Sequence, residues 1–269
     1  MSHEQVELAP EYKEAITSLL FQLADDDFLF AYRGSEWLGL APHIEEDVAY
    51  SSISQDTMGH AAVYYQLLEE LGCGKVDDLA HLRPSSERKN SILVERANGS
   101  GTYMERPQYD WAFTVVRNYF YTLAKKVKVN ALQHSSYTPI AEIATRIGIE
   151  LHYHLLHWKT WFVQLLSSTE DAKVRMKQAI DQVAKDTGDL FSLGKYDELL
   201  PSANVIDSST TLRTSWIAEL EVVFNSIQLP IPAFSDISLN GRNGEHTPDL
   251  DAALSTLREV YAIDPHTLW

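Results

Sequence analysis

The segment IGIELHYHLLHWKTW, residues 147–161, has the composition of a long helix and the side chains of a metal site. A helix advances about 100° per residue, so Glu150 and His154 fall on one face, which Tyr153 and His157 are expected to share. His152 points in a different direction. The segment therefore predicts one carboxylate and one imidazole on a common helix face, which is typical of four-helix bundles that bind two iron ions.

Three more long helices are predicted before this one, from apolar periodicity and from the prolines and glycines that bound each periodic segment. The four predicted helices cover residues 11–36, 45–71, 108–134 and 139–166. They form two helical hairpins, which are joined by a long connection over residues 75–108. Within that connection, SILVER (91–96) is predicted to contribute to a short β-hairpin. This order of helices is the layout of a ferritin-like bundle.

The remaining sequence predicts further helices after the bundle. They cover residues 172–191, 208–228 and 248–261. The predicted fold class is therefore all-α, a ferritin-like four-helix bundle with additional C-terminal helices. We expect a single domain over residues 1–269, with the bundle core at about 11–167 and the additional helices at about 172–262.

Composition limits the classes of function. The chain has 269 residues, a formal net charge of −16 and one cysteine, Cys73. The negative charge argues against binding to nucleic acid or to an anionic membrane, and it suits a basic protein partner. The sequence contains no run of about 18 apolar residues, and its acidic N-terminus lacks the apolar stretch of a signal peptide. We therefore expect a soluble cytoplasmic protein without an internal disulfide.

The second predicted helix carries a similar acid–histidine pair, because Asp56 and His60 are also four residues apart. The first predicted helix contains the triplet Asp25-Asp26-Asp27, of which at most one is expected to point fully inward. An acid from the first helix and acid–histidine pairs from the second and fourth begin to resemble a di-iron site. The candidate ligands are Asp25, Asp56, His60, Glu150 and His154.

The third predicted helix lacks the carboxylate that a di-iron site needs. Residues 111–134 contain no aspartate or glutamate, and Arg117 near the middle of this helix would repel a cation. Neither histidine-bearing helix has the Glu-x-x-His spacing of iron-binding bundles. The sequence therefore favours a metal-free polar core, in which the candidate side chains form a buried hydrogen-bonded or ion-paired network with Arg117. A bound metal without catalytic competence and a working metal site are the alternatives.

Two other features have ordinary structural interpretations. The lysine run AKKVKV, residues 124–129, is interpreted as a solvated or interface surface, with contact to an anionic ligand or an acidic partner as the alternative. The aromatic segments NYFYTLA (118–124) and WKTWF (158–162) are interpreted as core packing, with a subunit interface as the alternative. No Gly-x-Gly-x-x-Gly, P-loop or Gly-x-Ser-x-Gly motif occurs, so the sequence predicts neither a nucleotide-binding loop nor a hydrolase nucleophile.

Several segments, in a fixed order, carry a resemblance to a known family. They are LADDDFLFAYRGSEWLGLAP (23–42), EEDVAYSSISQDTMGHA (45–61), LVERANGS (93–100), RNYFYTLA (117–124), IGIELHYHLLHWKTW (147–161), LRTSWIAELEVVF (212–224), GRNGEHTPDL (241–250) and Trp269. Together they resemble the PaaC-type subunits of the bacterial phenylacetyl-CoA ring 1,2-epoxidase, a multicomponent monooxygenase. The resemblance covers nearly the whole chain and depends on the order and spacing of the segments rather than on one motif.

The resemblance implies a ferritin-like fold and a place in aerobic phenylacetate catabolism. In this family the PaaA-type subunit bears the complete di-iron ligand set, and the PaaC-type subunit looks like a degenerate copy that pairs with it. The complex uses molecular oxygen to form an epoxide on the aromatic ring of phenylacetyl-CoA. A separate flavin and iron–sulfur reductase subunit supplies the electrons. One position differs, because His60 replaces a glutamine of other members, which brings this chain closer to a ligand set.

The sequence therefore predicts a non-catalytic structural partner subunit of a di-iron epoxidase complex. We expect no catalytic residue and no cofactor in this chain, with the iron in the PaaA-type partner. We also expect a large interface with that partner, above about 2,000 Å² in total, and homodimers when the partner is absent. The alternative is an autonomous ferritin-like metal-dependent oxidoreductase that uses the five candidate ligands.

Overall fold

The protein is mostly helical, and the computed structural model describes residues 9–102 and 105–265. In chain order its elements are α1 Pro10–Ser35, α2 Ile44–Glu70, α3 Val76–His81, α4 Ile92–Glu95, β1 Gly99–Thr102, β2 Glu105–Tyr109, α5 Trp111–Leu132, α6 Thr138–Leu166, α7 Glu170–Ala184, α8 Leu199–Ser202, α9 Ser209–Ser226 and α10 Pro248–Arg258. Short 3-10 turns include Gly194–Tyr196 and Gly241–Asn243. The prediction of an all-α, ferritin-like bundle is confirmed.

The four long helices α1, α2, α5 and α6 form two packed hairpins, and their ends lie within a few residues of the predicted bounds. Pro10 and Pro139 lie in the first turns of α1 and α6, where a missing N–H costs no helical hydrogen bond. Asp110 caps α5, because its Oδ1 accepts a hydrogen bond from the Phe113 N–H (3.1 Å). The largest side chains buried in the bundle include Tyr64, Phe120, Trp158 and Phe162.

The β-hairpin of the long connection lies further along the chain than predicted. SILVER forms the buried helix α4, and the strands β1 and β2 pair antiparallel after it. The helical turn directs the carboxylate of Glu95 inward, where it accepts hydrogen bonds from the Thr247 N–H (2.6 Å) and the Asn90 amide (2.8 Å). Gly101 in β1 has a φ of 81°, a left-handed conformation that favours glycine. The strand prediction for SILVER is wrong because a short apolar run fits a buried helical turn equally well.

The C-terminal helices pack back onto the bundle. Helices α7 and α9 contact α5, and the indole N–H of Trp216 in α9 donates to the Phe120 carbonyl (3.0 Å). Helix α10 contacts α3 and α4 of the long connection. Helix α7 ends at Ala184, earlier than predicted, and the chain then passes through Gly188, where the carbonyl of Asp236 leaves no room for a side chain. Within the described ranges, no helix is both long enough and apolar enough to cross a membrane.

Asp189 is a fully buried carboxylate that joins the long connection to the loop before α10. Its oxygens accept hydrogen bonds from the backbone N–H groups of Ile92 (3.1 Å) and Gly241 (3.0 Å). Burial raises the pKa of Asp189 to about 6, although Arg242 and the two N–H donors oppose the shift. The protonation state of this carboxyl group therefore changes at mildly acidic pH.

Asp189→Asn is expected to remove a pH-dependent contribution to stability. Because the carboxyl pKa is about 6 in the folded protein and 3.8 ordinarily, the folded state binds this proton more tightly than the unfolded state. The contribution is present at low pH and is lost as the pH rises through the folded value, by about 1.4 kcal/mol per pH unit. Urea unfolding between pH 3.8 and about 6 should show the unmodified protein losing stability relative to the variant as the pH rises. A difference that does not change with pH would contradict this assignment.

Candidate functional site

The acidic triplet of α1 lies wholly inside the protein. Asp25, Asp26 and Asp27 have exposed fractions of 0%, 1% and 2%, so all three are buried, although only Asp27 contacts the group that faces His60. Their side chains diverge around the helix, and α1 is covered on every side that they reach. The long connection covers Asp25, the loop before α10 covers Asp26, and α5 covers Asp27. Each carboxylate therefore has its own set of partners.

Asp25 is paired with two arginines of the long connection. Arg83 and Arg88 both donate to its Oδ1, and the backbone N–H of Lys89 donates to its Oδ2 (2.8 Å). The hydroxyl of Tyr65 in α2 donates to the same carboxylate (2.6 Å). Burial works against ionisation, but the two guanidinium groups outweigh it and hold the pKa of Asp25 below its ordinary value. Asp25 is therefore an ionised group whose hydrogen-bond donors come from the long connection and from α2.

Asp26 is paired with Arg242 from the loop before α10. Two parallel hydrogen bonds of 2.8 Å join the guanidinium to Oδ1 and Oδ2, and the Lys128 ammonium lies 3.2 Å from Oδ2. The backbone N–H of Ser91 completes the set (2.7 Å). Burial opposes ionisation here too, and Arg242 and Lys128 outweigh it, so the pKa of Asp26 lies below its ordinary value.

Lys125 of α5 occupies the centre of the bundle between two groups. Its ammonium lies 2.8 Å from Asp27 Oδ1 and 2.8 Å from His60 Nδ1. Asp27 also accepts a hydrogen bond from the Tyr121 hydroxyl (3.1 Å). Burial raises the pKa of Asp27 despite the adjacent ammonium. A cation from a lysine thus lies where the acid of α1 and the histidine of α2 face each other.

The ammonium group determines the tautomer of His60. Lys125 can only donate, so Nδ1 of His60 accepts, and Nε2 carries the proton and donates to Glu150 Oε2 (2.6 Å). Burial, and then the Lys125 charge, lower the pKa of His60 far below its ordinary value. His60 is therefore a neutral group whose two nitrogens both have hydrogen-bond partners.

A second acid–histidine pair joins α2 and α6 beside the first. His154 Nε2 lies 3.0 Å from Asp56 Oδ2, and burial lowers the pKa of His154. Asp56 and Glu150 are half-exposed, with exposed side-chain fractions of 43% and 48%. Burial, and then the charge of Asp56, raise the pKa of Glu150. These pairs are interhelical contacts at the edge of the bundle.

The face of α6 is narrower than predicted. Glu150 and His154 face α2, and His157 Nε2 lies 2.9 Å from Glu46 Oε1 one turn further along. His152 is exposed, as the helical geometry predicts. Tyr153 is 66% exposed, so its assignment to this face is wrong. The reason is geometric, because α2 lies to one side of the Glu150–His154 row and Tyr153 projects from the other side.

The side chains of α5 also differ from prediction. Arg117 does not join the acidic network, since its guanidinium donates to the Arg96 carbonyl (2.7 Å) and to Asn98 Oδ1 (2.6 Å). Lys125 and Lys128 are buried, each with an exposed fraction of 5%, so their interpretation as a solvated or interface run is wrong. Burial is tolerated because each ammonium is paired with a buried aspartate.

The residues present do not fit a di-iron centre. Asp25 is paired with Arg83 and Arg88. The other candidate ligands are paired between α2 and α6, as His60 with Glu150 and His154 with Asp56. Helix α5 contributes an ammonium where such a site needs a carboxylate. Among residues 9–102 and 105–265, no group of three or more histidine, cysteine, aspartate or glutamate side chains is arranged to hold a metal ion.

The sequence prediction missed the cations that neutralise the acidic triplet. They are Arg83, Arg88, Lys125, Lys128 and Arg242. One signal was present in the sequence, because Lys125 and Lys128 are three residues apart and share a helix face. Three consecutive acids in an apolar helix also require compensating charge if they are buried.

The fold and the paired charges inside the bundle define a class of protein. It is a ferritin-like bundle in which ion pairs occupy the positions expected for metal ligands. The chain belongs to the family described as Phenylacetic acid catabolic protein, which matches residues 1–269. It is similar to the C subunit of 1,2-phenylacetyl-CoA epoxidase from Escherichia coli (strain K12), with 28% identity over 255 residues. That alignment covers 94% of this chain and 99% of the relative. The resemblance predicted from the sequence is confirmed, although Trp269, one of its segments, lies outside the described residues.

Proposed function

We propose that this chain is a structural partner subunit, without a redox centre of its own, of a multicomponent epoxidase that acts on phenylacetyl-CoA. The family match and the similarity to a component of the Escherichia coli epoxidase support a role in phenylacetate catabolism. The proposal assigns the di-iron site to a PaaA-type catalytic subunit. A flavin and iron–sulfur reductase would complete the complex in the cytoplasm.

The observation that supports a non-catalytic role is the position of Lys125. Its ammonium lies between the Asp27 carboxylate and the His60 imidazole at the centre of the bundle. A cation that is covalently part of α5 supplies the positive charge that buried acids require, without supplying a redox couple. The fold is thereby kept while the oxygen chemistry is left to another subunit.

Exposed apolar side chains support the partner role. On α2 they include Ile44 and Val48, which are 76% and 65% exposed. On α6 they include Ile149, Tyr153 and Leu156, which are 66%, 66% and 56% exposed. Exposed apolar groups on two helices that contact each other suit a surface that is covered in a complex. The same surface provides a route to homodimers when the catalytic partner is absent.

The alternative function, an autonomous metal-dependent oxidoreductase, has one observation in its favour. Asp56, His60, Glu150 and His154 lie close together between α2 and α6, and both carboxylates of this set are half-exposed. The Lys125 ammonium argues against this alternative function, since a metal ion bound beside His60 would be repelled by that charge.

Iron content and co-purification test the proposal in one experiment. The chain is produced alone and together with a PaaA-type subunit, and each sample is loaded with ferrous iron, desalted and analysed for iron and for subunit ratio. We expect negligible iron in this chain alone, a stable complex of both chains, and iron in proportion to the PaaA-type chain only. The reason is that the candidate ligands are already paired with cations or with each other.

Lys125→Gln provides the matched sample for the iron analysis, because it removes the repelling charge and keeps a hydrogen-bonding side chain. Near-stoichiometric iron in the unmodified chain alone would favour the autonomous oxidoreductase. Failure of the two chains to associate would overturn the partner role.

A further inference from the structure

Four of the six tryptophans of the sequence meet at one end of the bundle, where α2 and α5 begin and α6 approaches its end. The ring of Trp111 contacts the other three, with centroid distances of 5.0 Å to Trp37, 5.5 Å to Trp161 and 6.2 Å to Trp158. The ring of Tyr50 packs edge-on against Trp158 at 4.7 Å. These five side chains, which we call the tryptophan cluster, form a continuous set of aromatic contacts.

The tryptophan cluster reaches from the interior of the protein to its surface. Trp158 is fully buried and Trp37 is 5% exposed, whereas Trp111 and Trp161 are partly exposed. The exposed imidazole of His43 is stacked on Trp161, with 18° between the ring planes. Rings in contact exchange electrons much faster than rings held apart, because the rate of electron transfer falls steeply with distance. The contacts therefore connect the buried indoles with Trp161 near the surface.

The indole N–H groups of the tryptophan cluster have different partners. Trp161 donates to Glu46 Oε2 (2.5 Å), and Trp37 donates to the Thr114 hydroxyl (3.1 Å). In the part of the chain that the structure describes, the indole nitrogens of Trp111 and Trp158 are buried without an acceptor. Buried donors of this kind are uncommon and call for an explanation, such as a redox role.

The partner of the N–H group determines how easily an indole is oxidised. Loss of one electron makes the indole N–H strongly acidic, and the oxidised ring is stabilised when a base takes that proton. Glu46 is such a base, because it is 4% exposed and lies within hydrogen-bonding distance of the Trp161 nitrogen. His157 Nε2 lies 2.9 Å from the other oxygen of Glu46 and holds the carboxylate in place.

The other members of the tryptophan cluster lack a carboxylate at the group that would lose the proton. The Thr114 hydroxyl that accepts from Trp37 is a far weaker base than a carboxylate. Burial raises the pKa of Tyr50 although Arg117 opposes the shift, and a guanidinium cannot accept the phenol proton. An oxidised ring at these positions therefore keeps its proton and takes an electron from a neighbouring ring that can release one.

We propose that Trp161, with Glu46 as its proton acceptor, is the site at which one-electron oxidation of the tryptophan cluster collects. When a peroxyl radical removes an electron from any indole of the cluster, an electron from Trp161 restores that indole, and the Trp161 N–H proton moves to Glu46. The peroxyl radical becomes a hydroperoxide by gaining the electron and a proton from solvent. A soluble reductant such as ascorbate then returns one electron to Trp161, and Glu46 returns the proton.

This role is protective, and it goes beyond the proposed function without depending on it. The oxidant is a stray radical rather than a group held by this chain, so the catalytic oxygen chemistry stays with another subunit. All the side chains that the proposal needs belong to this chain, which can therefore be tested by itself.

Laser photoionisation of the full chain tests the proposal, because intense near-ultraviolet light ejects electrons from buried and exposed indoles alike. Nitrous oxide with tert-butanol consumes the ejected electrons. Transient absorption then distinguishes the protonated from the deprotonated indole radical, and peptide mass spectrometry locates the oxidised tryptophan. We expect a deprotonated radical that forms more slowly in heavy water, and oxidation products concentrated at Trp161.

Glu46→Gln removes the proton acceptor and keeps a hydrogen-bonding side chain of the same size. Deprotonation of the radical should slow by at least about tenfold, and oxidation products should spread over the tryptophan cluster. Glu45→Gln is the matched control, because it changes the neighbouring exposed acid and should alter neither result. Circular dichroism verifies that each variant is folded.

Trp111→Phe tests the connection within the tryptophan cluster separately from the proton acceptor. Because Trp111 links the other indoles, this variant should keep a larger share of the oxidation products at Trp37 and Trp158. Products spread evenly over the four indoles of the unmodified chain would overturn the proposal. It would also be overturned if folded Glu46→Gln gave the same rate and the same distribution of products as the unmodified chain.

Discussion

Lys125→Met is expected to lower the free energy of unfolding by about 3–5 kcal/mol at neutral pH, because removing one partner of a buried ion pair leaves the other charge uncompensated. Asp27 is 2% exposed, and Lys125 is the cation in contact with it. In the variant, Asp27 would keep the hydrogen bond from the Tyr121 hydroxyl (3.1 Å), which carries no charge. His60 Nδ1 would lose its donor as well. Urea unfolding followed by circular dichroism measures the loss.

The pH dependence of this variant separates loss of charge pairing from loss of packing. Burial already raises the pKa of Asp27, and removal of the ammonium raises it further. The variant can therefore recover stability at lower pH by protonating Asp27, so its deficit should shrink as the pH falls. A deficit that is independent of pH would indicate a packing defect instead.

Two controls accompany the Lys125 variant. Lys126→Met changes the neighbouring, partly exposed lysine of α5 and should cost less than about 0.5 kcal/mol, as for ordinary surface positions. The double variant Asp27→Asn with Lys125→Met removes both charges, so it should be more stable than Lys125→Met alone. An unfolding free energy for Lys125→Met equal to that of the unmodified protein would contradict the central role of this ion pair.

Asp25→Asn is expected to produce a loss of similar size, about 3–5 kcal/mol, because it leaves two buried guanidinium groups without a carboxylate. Arg88 is fully buried and Arg83 is 9% exposed. Asparagine keeps the size of the side chain and an oxygen that can accept the hydrogen bond from the Lys89 N–H. The loss therefore measures the charge rather than a cavity. Urea unfolding with comparison of the m-values checks that the transition remains the same.

Asp186→Asn is the matched control for Asp25→Asn. Asp186 also accepts two hydrogen bonds of 2.8 Å from one arginine, Arg96, but that arginine side chain is 34% exposed. Partly exposed pairs of this kind contribute about 0–1 kcal/mol, so the control should cost far less. Equal losses in the two variants would show that burial of the Asp25 pair has no special energetic role.

The helices of this protein were predictable because their determinants are local. Apolar periodicity and the prolines at positions 10 and 139 define the long helices to within a few residues. The pairs Asp56–His60 and Glu150–His154 were also predictable, since spacing on a helix determines which side chains share a face. The structure joins these two helices through those pairs.

The interior charges were not predictable in the same way, because their burial depends on distant parts of the chain. Nothing near Asp26 in sequence indicates that Arg242 covers it. A lysine run such as 124–129 has the same pattern on a solvated face and on a buried face with acidic partners. Tyr153 was expected on the buried face and is exposed, because its exposure depends on the side from which α2 packs against α6.

The acidic triplet of α1 has a further consequence for the motions of the protein. Asp25 accepts a hydrogen bond from the backbone N–H of Lys89, and Asp26 accepts one from the backbone N–H of Ser91. The three carboxylates bind three separate parts of the chain. Local opening of any one part would therefore leave a buried carboxylate without its cation. Subglobal openings at this centre should therefore be nearly as rare as complete unfolding, and these two amides should be among the last to exchange with deuterium. A protein with such a centre is suited to hold a constant shape.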